Sequence, residues 1–120
     1  MKVAVTAQGR ELGSQIDQRF GRAEFLIIAD TETGKFQAHD NTVNLNAAQG
    51  AGIQTGKNIA NLDVDAVITG NVGPNAFKTL SAAKIKVFLA DKQTVQKAID
   101  SFKEGKLKEV DQANVDGHWL

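Results

Sequence analysis

Apolar residues in this chain fall in short blocks, and the spacing inside each block predicts what it forms. Residues 2–7, Lys2-Val3-Ala4-Val5-Thr6-Ala7, are an apolar run too short for a helix and read as a first strand. A polar loop follows from about Gln8 to Arg22, holding Gly9, Gly13 and Gly21. The block Glu24–Asp30 is apolar on both faces, as a central strand is. Thr31-Glu32-Thr33-Gly34 is turn chemistry, and Lys35–His39 then alternates like a half-exposed strand, so the two strands form a hairpin.

The segment from Asp40 to Gly52 is small and polar. Beyond it Ile53, Gly56, Ile59 and Ala60 recur at helical spacing, and Asn61-Leu62 closes that helix. Asp65–Gly70 reads as a buried strand. Pro74 suits the first position of a second helix whose stripe is Ala76, Phe77 and Leu80. Lys86–Ala90 is a further strand. Val95, Ala98, Ile99 and Phe102 mark a third helix at i, i+3, i+4 and i+7, and Gly105 is placed to end it. Leu107–Val110 leaves room for a short edge strand, and 111–120 read as a flexible tail. Alternating strands and helices predict one α/β domain over 1–120, with a mixed five-stranded sheet in the order 3-2-1-4-5 and helices on both faces.

That topology brings three loops, 8–22, 40–52 and 70–75, to one end of the sheet, where open α/β sheets bind ligands at the carboxyl ends of strands. The residues there suit a bulky anion. Gly50, Gly52, Gly70 and Gly73 permit close backbone approach. Two helix N-termini offer N–H groups and positive dipole ends. Arg10, Arg19 and Arg22 add charge-assisted donors, Gly21 separates two of them, Phe20 offers an apolar wall, and Asn41, Gln49, Asn71 and Asn75 add amides. Each feature has a plainer account: glycines as turn residues, arginines as solvated surface charge, Phe20 or Phe25 as core. His39, on a half-exposed strand, needs no ligand to explain it. His118, beside Trp119 in the tail, is a candidate metal-binding residue.

Composition narrows the chemistry. Basic and acidic side chains number 14 each, so no net charge points to nucleic acid. There is no cysteine, which excludes disulfides and thiolate-held metal; a bound metal–sulfur group must bring its own sulfur. The first apolar run is far too short for a signal peptide or membrane helix, giving a default expectation of a cytoplasmic protein. Strand one carries no acid, Asp63 and Asp65 fall at the wrong end for two-metal chemistry, and no phosphate-loop or dinucleotide fingerprint is present, which argues against nuclease and nucleotide-hydrolysing activity. The expectation is a binding protein, not an enzyme.

Several blocks also resemble the dinitrogenase iron–molybdenum cofactor biosynthesis family. Arg19-Phe20-Gly21-Arg22-Ala23-Glu24-Phe25-Leu26-Ile27-Ile28-Ala29-Asp30 is similar to one signature, Gly50-Ala51-Gly52-Ile53 to a helix start, and Val64–Phe77 to a third block. Ala82–Val87, Thr94-Val95 and Gly105-Lys106-Leu107 continue the likeness, which spans nearly the whole chain. The resemblance implies a ribonuclease-H-like fold without nuclease activity, and non-covalent carriage of a metal–sulfur cluster or an iron–molybdenum cofactor precursor. The missing cysteine and the Asn114–Trp119 tail point toward the orange-protein branch, which holds a molybdenum–copper sulfide cluster. Many relatives carry histidine where Arg19 stands, so this chain departs from imidazole ligation toward electrostatic capture. The alternatives carried forward are a regulatory module partnering another protein, such as an ATPase, and an anion- or nucleotide-binding domain.

Overall fold

A computed structural model describes residues 1–41 and 51–115. It contains β1 (Lys2–Ala7), β2 (Phe25–Asp30), β3 (Phe36–Asp40), α1 (Ala51–Ala60), β4 (Ala66–Thr69), α2 (Pro74–Ala82), β5 (Lys86–Leu89), α3 (Val95–Lys103) and β6 (Lys108–Val110). The sheet is mixed, in the order β3-β2-β1-β4-β5-β6. β1 pairs antiparallel with β2 and parallel with β4; β4 and β5 are parallel; β3 and β6 run antiparallel to their neighbours.

The expected five strands are thus six. β5 lies inside the sheet, and β6 forms the edge through Val87↔Val110, Phe88↔Glu109 and Leu89↔Lys108. Three residues are too few to show alternation, so only the pairing defines this strand. Gly105 makes it reachable: its φ of +72° turns the chain back after α3.

Strand alternation sorts the core into two layers. Val3, Val5, Ile27, Ala66 and Ile68 face one side, packed by Val95, Ala98 and Ile99 of α3 and by Leu12 and Ile16 of the first loop. Ala4, Leu26, Val67 and Val87 face the other, packed by Ile59 of α1 and by Ala76 and Leu80 of α2. Register explains the split, since Val5 stands opposite Ile27 on one side and Ile68 on the other. Helices therefore cover both faces.

α1 and α2 lie side by side through small residues. A Cβ on Gly52 would come 3.0 Å from the Ala76 Cβ, and one on Gly56 would come 3.1 Å from the Thr79 methyl carbon. Glycine at both positions lets the two helices approach that closely.

Candidate functional site

Strand direction decides where the loops emerge. β1, β3, β4 and β5 end, and β2 and β6 begin, at one edge of the sheet. The loops 8–24 and 70–73 meet there, as the sequence predicted, together with 90–94 and 104–107. The segment 40–52 starts there at Asp40 and Asn41; Gln49 and Gly50 lie outside the described residues, as does His118.

The first loop is sewn to this edge. Asp17 N–H donates to Thr6 O at 2.8 Å, and the Thr6 hydroxyl donates to Asp17 O at 2.7 Å. The Thr6 and Thr69 hydroxyl oxygens, 2.9 Å apart, join β1 to β4 beneath it. Phe20 N–H donates to Asn71 O at 3.2 Å. The Asp17 carboxylate accepts from Arg19 N–H at 2.9 Å. Burial pushes the Asp17 carboxyl above its ordinary value; the Arg19 N–H and guanidinium pull it back, and Glu24 adds to the rise.

Within Arg19-Phe20-Gly21-Arg22 the roles divide. Arg19 is exposed, with no carboxylate at ion-pair distance among the described residues. Phe20 is fully buried, in the same core cluster as Val72, Ala76 and Leu80, so it belongs to the core and presents no wall to a ligand. Gly21 lies over the start of α1, where a Cβ would stand 2.6 Å from Gly52 N and 2.8 Å from Gly52 Cα. Only glycine allows that backbone approach. Arg22 is half-buried and engaged within the fold.

All three helices start at this edge, and the start of α3 is closed. At α3 the Thr94 hydroxyl accepts from Lys97 N–H, and the Val95 and Gln96 N–H groups donate to Ser14 and Leu12 carbonyls. At α2 Gly73 is an extended N-cap with no side-chain bond, Pro74 follows, and the first intrahelical bond runs from Phe77 N–H to Gly73 O. The N–H groups of Asn75 and Ala76 therefore precede the helical ladder. Neither α1 nor α2 has an acid in its first turn. The adjacent starts of α1 and α2, with the Gly21 backbone crossing that of α1 and the exposed Arg19 in the same loop, form an electropositive rim.

Other expected site residues have work inside the fold. Asn41 is buried and donates to Ala23 O at 2.8 Å. Arg10 lies 4.6 Å from the Phe25 ring centre and 3.9 Å from Asp40, on the α3 side of the sheet, away from the rim. Asn71 Nδ2 donates to Gln18 O at 3.1 Å, tying two loops together. Asn75 is exposed on the first turn of α2. Half-buried His39 lines a hollow of about 250 Å³ with Asn58 and Asn61 of α1. Among the described residues no three of His, Cys, Asp and Glu gather to hold a metal ion. No described helix is long and apolar enough to cross a membrane.

Two residues that were not among the expected site residues complete the edge. Asn114, in the stretch read as tail, donates to Asn71 Oδ1 at 2.9 Å, accepts from Val72 N–H at 2.7 Å and returns its own N–H to Val72 O at 3.1 Å. Gln18 packs against Gly70 and lines a cleft of about 520 Å³ running toward Leu107 and Lys108. Gln18 had one signal, its place beside Arg19. Asn114 had none, since its partners lie more than 40 residues away.

Comparison with known proteins agrees with this architecture. The chain is 35% identical to the orange protein from Desulfovibrio gigas, whose apo structure superposes with a TM-score of 0.92 over 95% of this chain and 96% of that one. A Thermotoga protein of the DUF35 family is 40% identical, with a TM-score of 0.84 over 97% and 98% of the two chains. An uncharacterized protein of Methanocaldococcus jannaschii is 31% identical over 110 residues, 90% of each chain. Residues 1–105 match the family described as dinitrogenase iron-molybdenum cofactor, and the chain belongs to that family.

Proposed function

We propose that this protein is a carrier, not a catalyst, for an anionic metal–sulfur cluster or its precursor, held without covalent protein ligands. The observation that carries the reading is the rim itself. The start of α2, whose N-cap Gly73 makes no side-chain bond, the adjacent start of α1 and the exposed Arg19 share one edge with a backbone crossing that only glycine permits. In a chain without cysteine, a sulfide-rich anion must be gripped by N–H donors and positive charge. Family membership and likeness to an orange protein support a cofactor-handling role. Within it we favour a molybdenum-containing cluster, molybdenum–copper sulfide or an iron–molybdenum precursor, on a ribonuclease-H-like scaffold put to binding use.

The test is a visible-absorption titration of tetrathiomolybdate with copper(I) into wild type, Arg19→Ala and the Arg19→Ala/Arg22→Ala double variant at two salt concentrations. Arg19 is the cleaner substitution, because Arg22 is also engaged within the fold. An exposed charged contact contributes roughly 0.5–1.5 kcal/mol, so Arg19→Ala should weaken binding by about twofold to tenfold, more at low salt. Equal affinity in all three proteins, without salt dependence, removes the electrostatic seat.

A further inference from the structure

The outer side of β3 is a strand edge whose outward groups can be read from the ladder on its inner side. Lys35 O accepts from Asp30 N–H at 2.9 Å and Asn41 N–H donates to Glu24 O at 2.8 Å, one at each end of the β2–β3 pairing. Backbone direction alternates along a strand, so Lys35, Gln37, His39 and Asn41 bond toward β2, and the N–H and C=O groups of Phe36 and Ala38 point away from it. No described strand takes them up, because β3 ends the sheet. The two edges of the sheet differ in protection. β6 has three residues, two of them Lys108 and Glu109. β3 has five, contains no proline and pairs with β2 without a bulge, so it lacks two of the devices that blunt an edge. It also presents Phe36, which with Met1 makes up the exposed large apolar side chains of the described residues.

We propose that β3 pairs antiparallel with β3 of a second copy of this chain, on a two-fold axis at Gln37. An antiparallel pair exchanges bonds only where outward groups meet outward groups, which restricts the register. With the axis at Gln37, Phe36 of each copy exchanges both backbone bonds with Ala38 of the other. The side chains then match. Phe36 and Ala38 lie on the α3 side of the sheet, where Ala38 packs against the core, so the exposed ring covers an apolar neighbour. On the opposite side the Gln37 amide, donor and acceptor at once, meets its own copy, and Lys35 stands beside His39. An axis one residue on, at Ala38, would set Phe36 against the Asp40 carboxylate. The contact uses the same patch on both copies and closes at a dimer, in which two six-stranded sheets become one of twelve strands. Because the second strand runs the other way, the two rims lie at opposite ends of that sheet, and the pairing does not depend on the carrier reading. A strand pair this short buries less than the roughly 1,200 Å² of a stable interface, so the dimer is transient.

Sedimentation velocity and ¹⁵N spectra of the full chain over a dilution series test the pairing. Wild type should pass from monomer toward dimer at about 0.1–1 mM, the range of such weak contacts, with the Phe36 and Ala38 amides shifting most. Ala38→Pro removes an outward donor and leaves the β2 ladder its bonds, so it should stay folded and monomeric throughout. Phe36→Glu removes both apolar cross-strand pairs and should weaken the dimer about twofold to thirtyfold. Gln37→Cys tests the register, since the chain has no other cysteine. Residues facing each other without exchanging hydrogen bonds have Cα atoms about 4.5 Å apart, within disulfide reach. Under mild oxidation Gln37→Cys should therefore cross-link at least about tenfold faster than Glu109→Cys on the other edge. These two variants decide the question if Ala38→Pro does not fold. A wild type still monomeric at about 1 mM overturns the proposal and leaves the edge to a strand from another protein. A dimer that survives in folded Ala38→Pro, dilution shifts centred on β6, or equal cross-linking at the two edges also overturns it. None of these measurements uses a metal or an anion, so their failure leaves the carrier reading untouched.

Discussion

The side-chain amide of Asn114 donates to Asn71 Oδ1 at 2.9 Å, across 43 residues of chain. Asn71 in turn donates to Gln18 O at 3.1 Å. Two asparagines thus join the C-terminal stretch, the β4–α2 loop and the first loop at the edge proposed to bind the ligand. The link also supplies Val72 N–H, on a fully buried residue, with an acceptor at 2.7 Å. Asn114→Ala removes that acceptor. It should destabilise the protein by about 1–2 kcal/mol, since a stranded amide costs that much, and should speed hydrogen exchange at Val72. Unchanged Val72 protection would show that the clasp does not hold in solution.

Gly21 tolerates no side chain at the site. A methyl group there meets backbone atoms of Gly52, not the yielding end of a side chain. Gly21→Ala should cost about 1–3 kcal/mol, in the range of overpacked cores, and should shift the Ala51–Ile53 amides more than those of α3. Denaturant melts with ¹⁵N spectra check both; a neutral effect would mean the two segments do not cross so closely.

Phe20 separates core from site. Its complete burial makes Phe20→Ala a cavity-forming change worth about 3–5 kcal/mol in stability. Cluster affinity of the fraction that remains folded should change little. A large loss of affinity with little loss of stability would return Phe20 to the ligand.

Asp17 gives a pH signature of known sign. Its folded value is raised above 3.8, with burial the leading cause. Just above pH 3.8 the native state keeps a proton that the unfolded chain has released, so stability falls as pH rises through that window and stays lower beyond it. Asp17→Asn keeps an acceptor for Arg19 N–H and should abolish this fall. Asp30 works the other way: its carboxyl is lowered chiefly by the Glu32 N–H, so its contribution is lost as pH falls through its depressed value. Urea melts across acidic pH, comparing wild type with Asp17→Asn, should isolate the Asp17 component. Parallel curves would exclude it.

Much of the fold was readable because each strand and helix carries its own period. The apolar runs holding Val3, Val5, Ile27 and Ile68 mark buried strands before any partner is known, while the face each residue takes is set by the pairing. A short edge strand at Leu107–Val110 was offered by the sequence but left out of the sheet order, because Lys108-Glu109-Val110 has no pattern of its own and is defined only by its pairing with β5. The site was legible in outline only. Strand direction brings the glycine- and arginine-bearing loops together, but single residues change role with partners far along the chain. Phe20 sits between two arginines, and nothing local distinguishes a core phenylalanine from an exposed one. Gly52 is matched to Ala76, Asn41 to Ala23 and Thr55, and Asn71 to Gln18 and Asn114. Such pairings arise only after the sheet forms.

The most direct measurement is the composition and colour of the protein purified from its native host without chelators. The carrier account predicts visible charge-transfer bands, with molybdenum and acid-labile sulfide in fixed proportion to protein, all lost on denaturation because no side chain forms a covalent bond to the cluster. A colourless, metal-free and sulfide-free native protein would contradict it and favour the reading of a protein-interaction module.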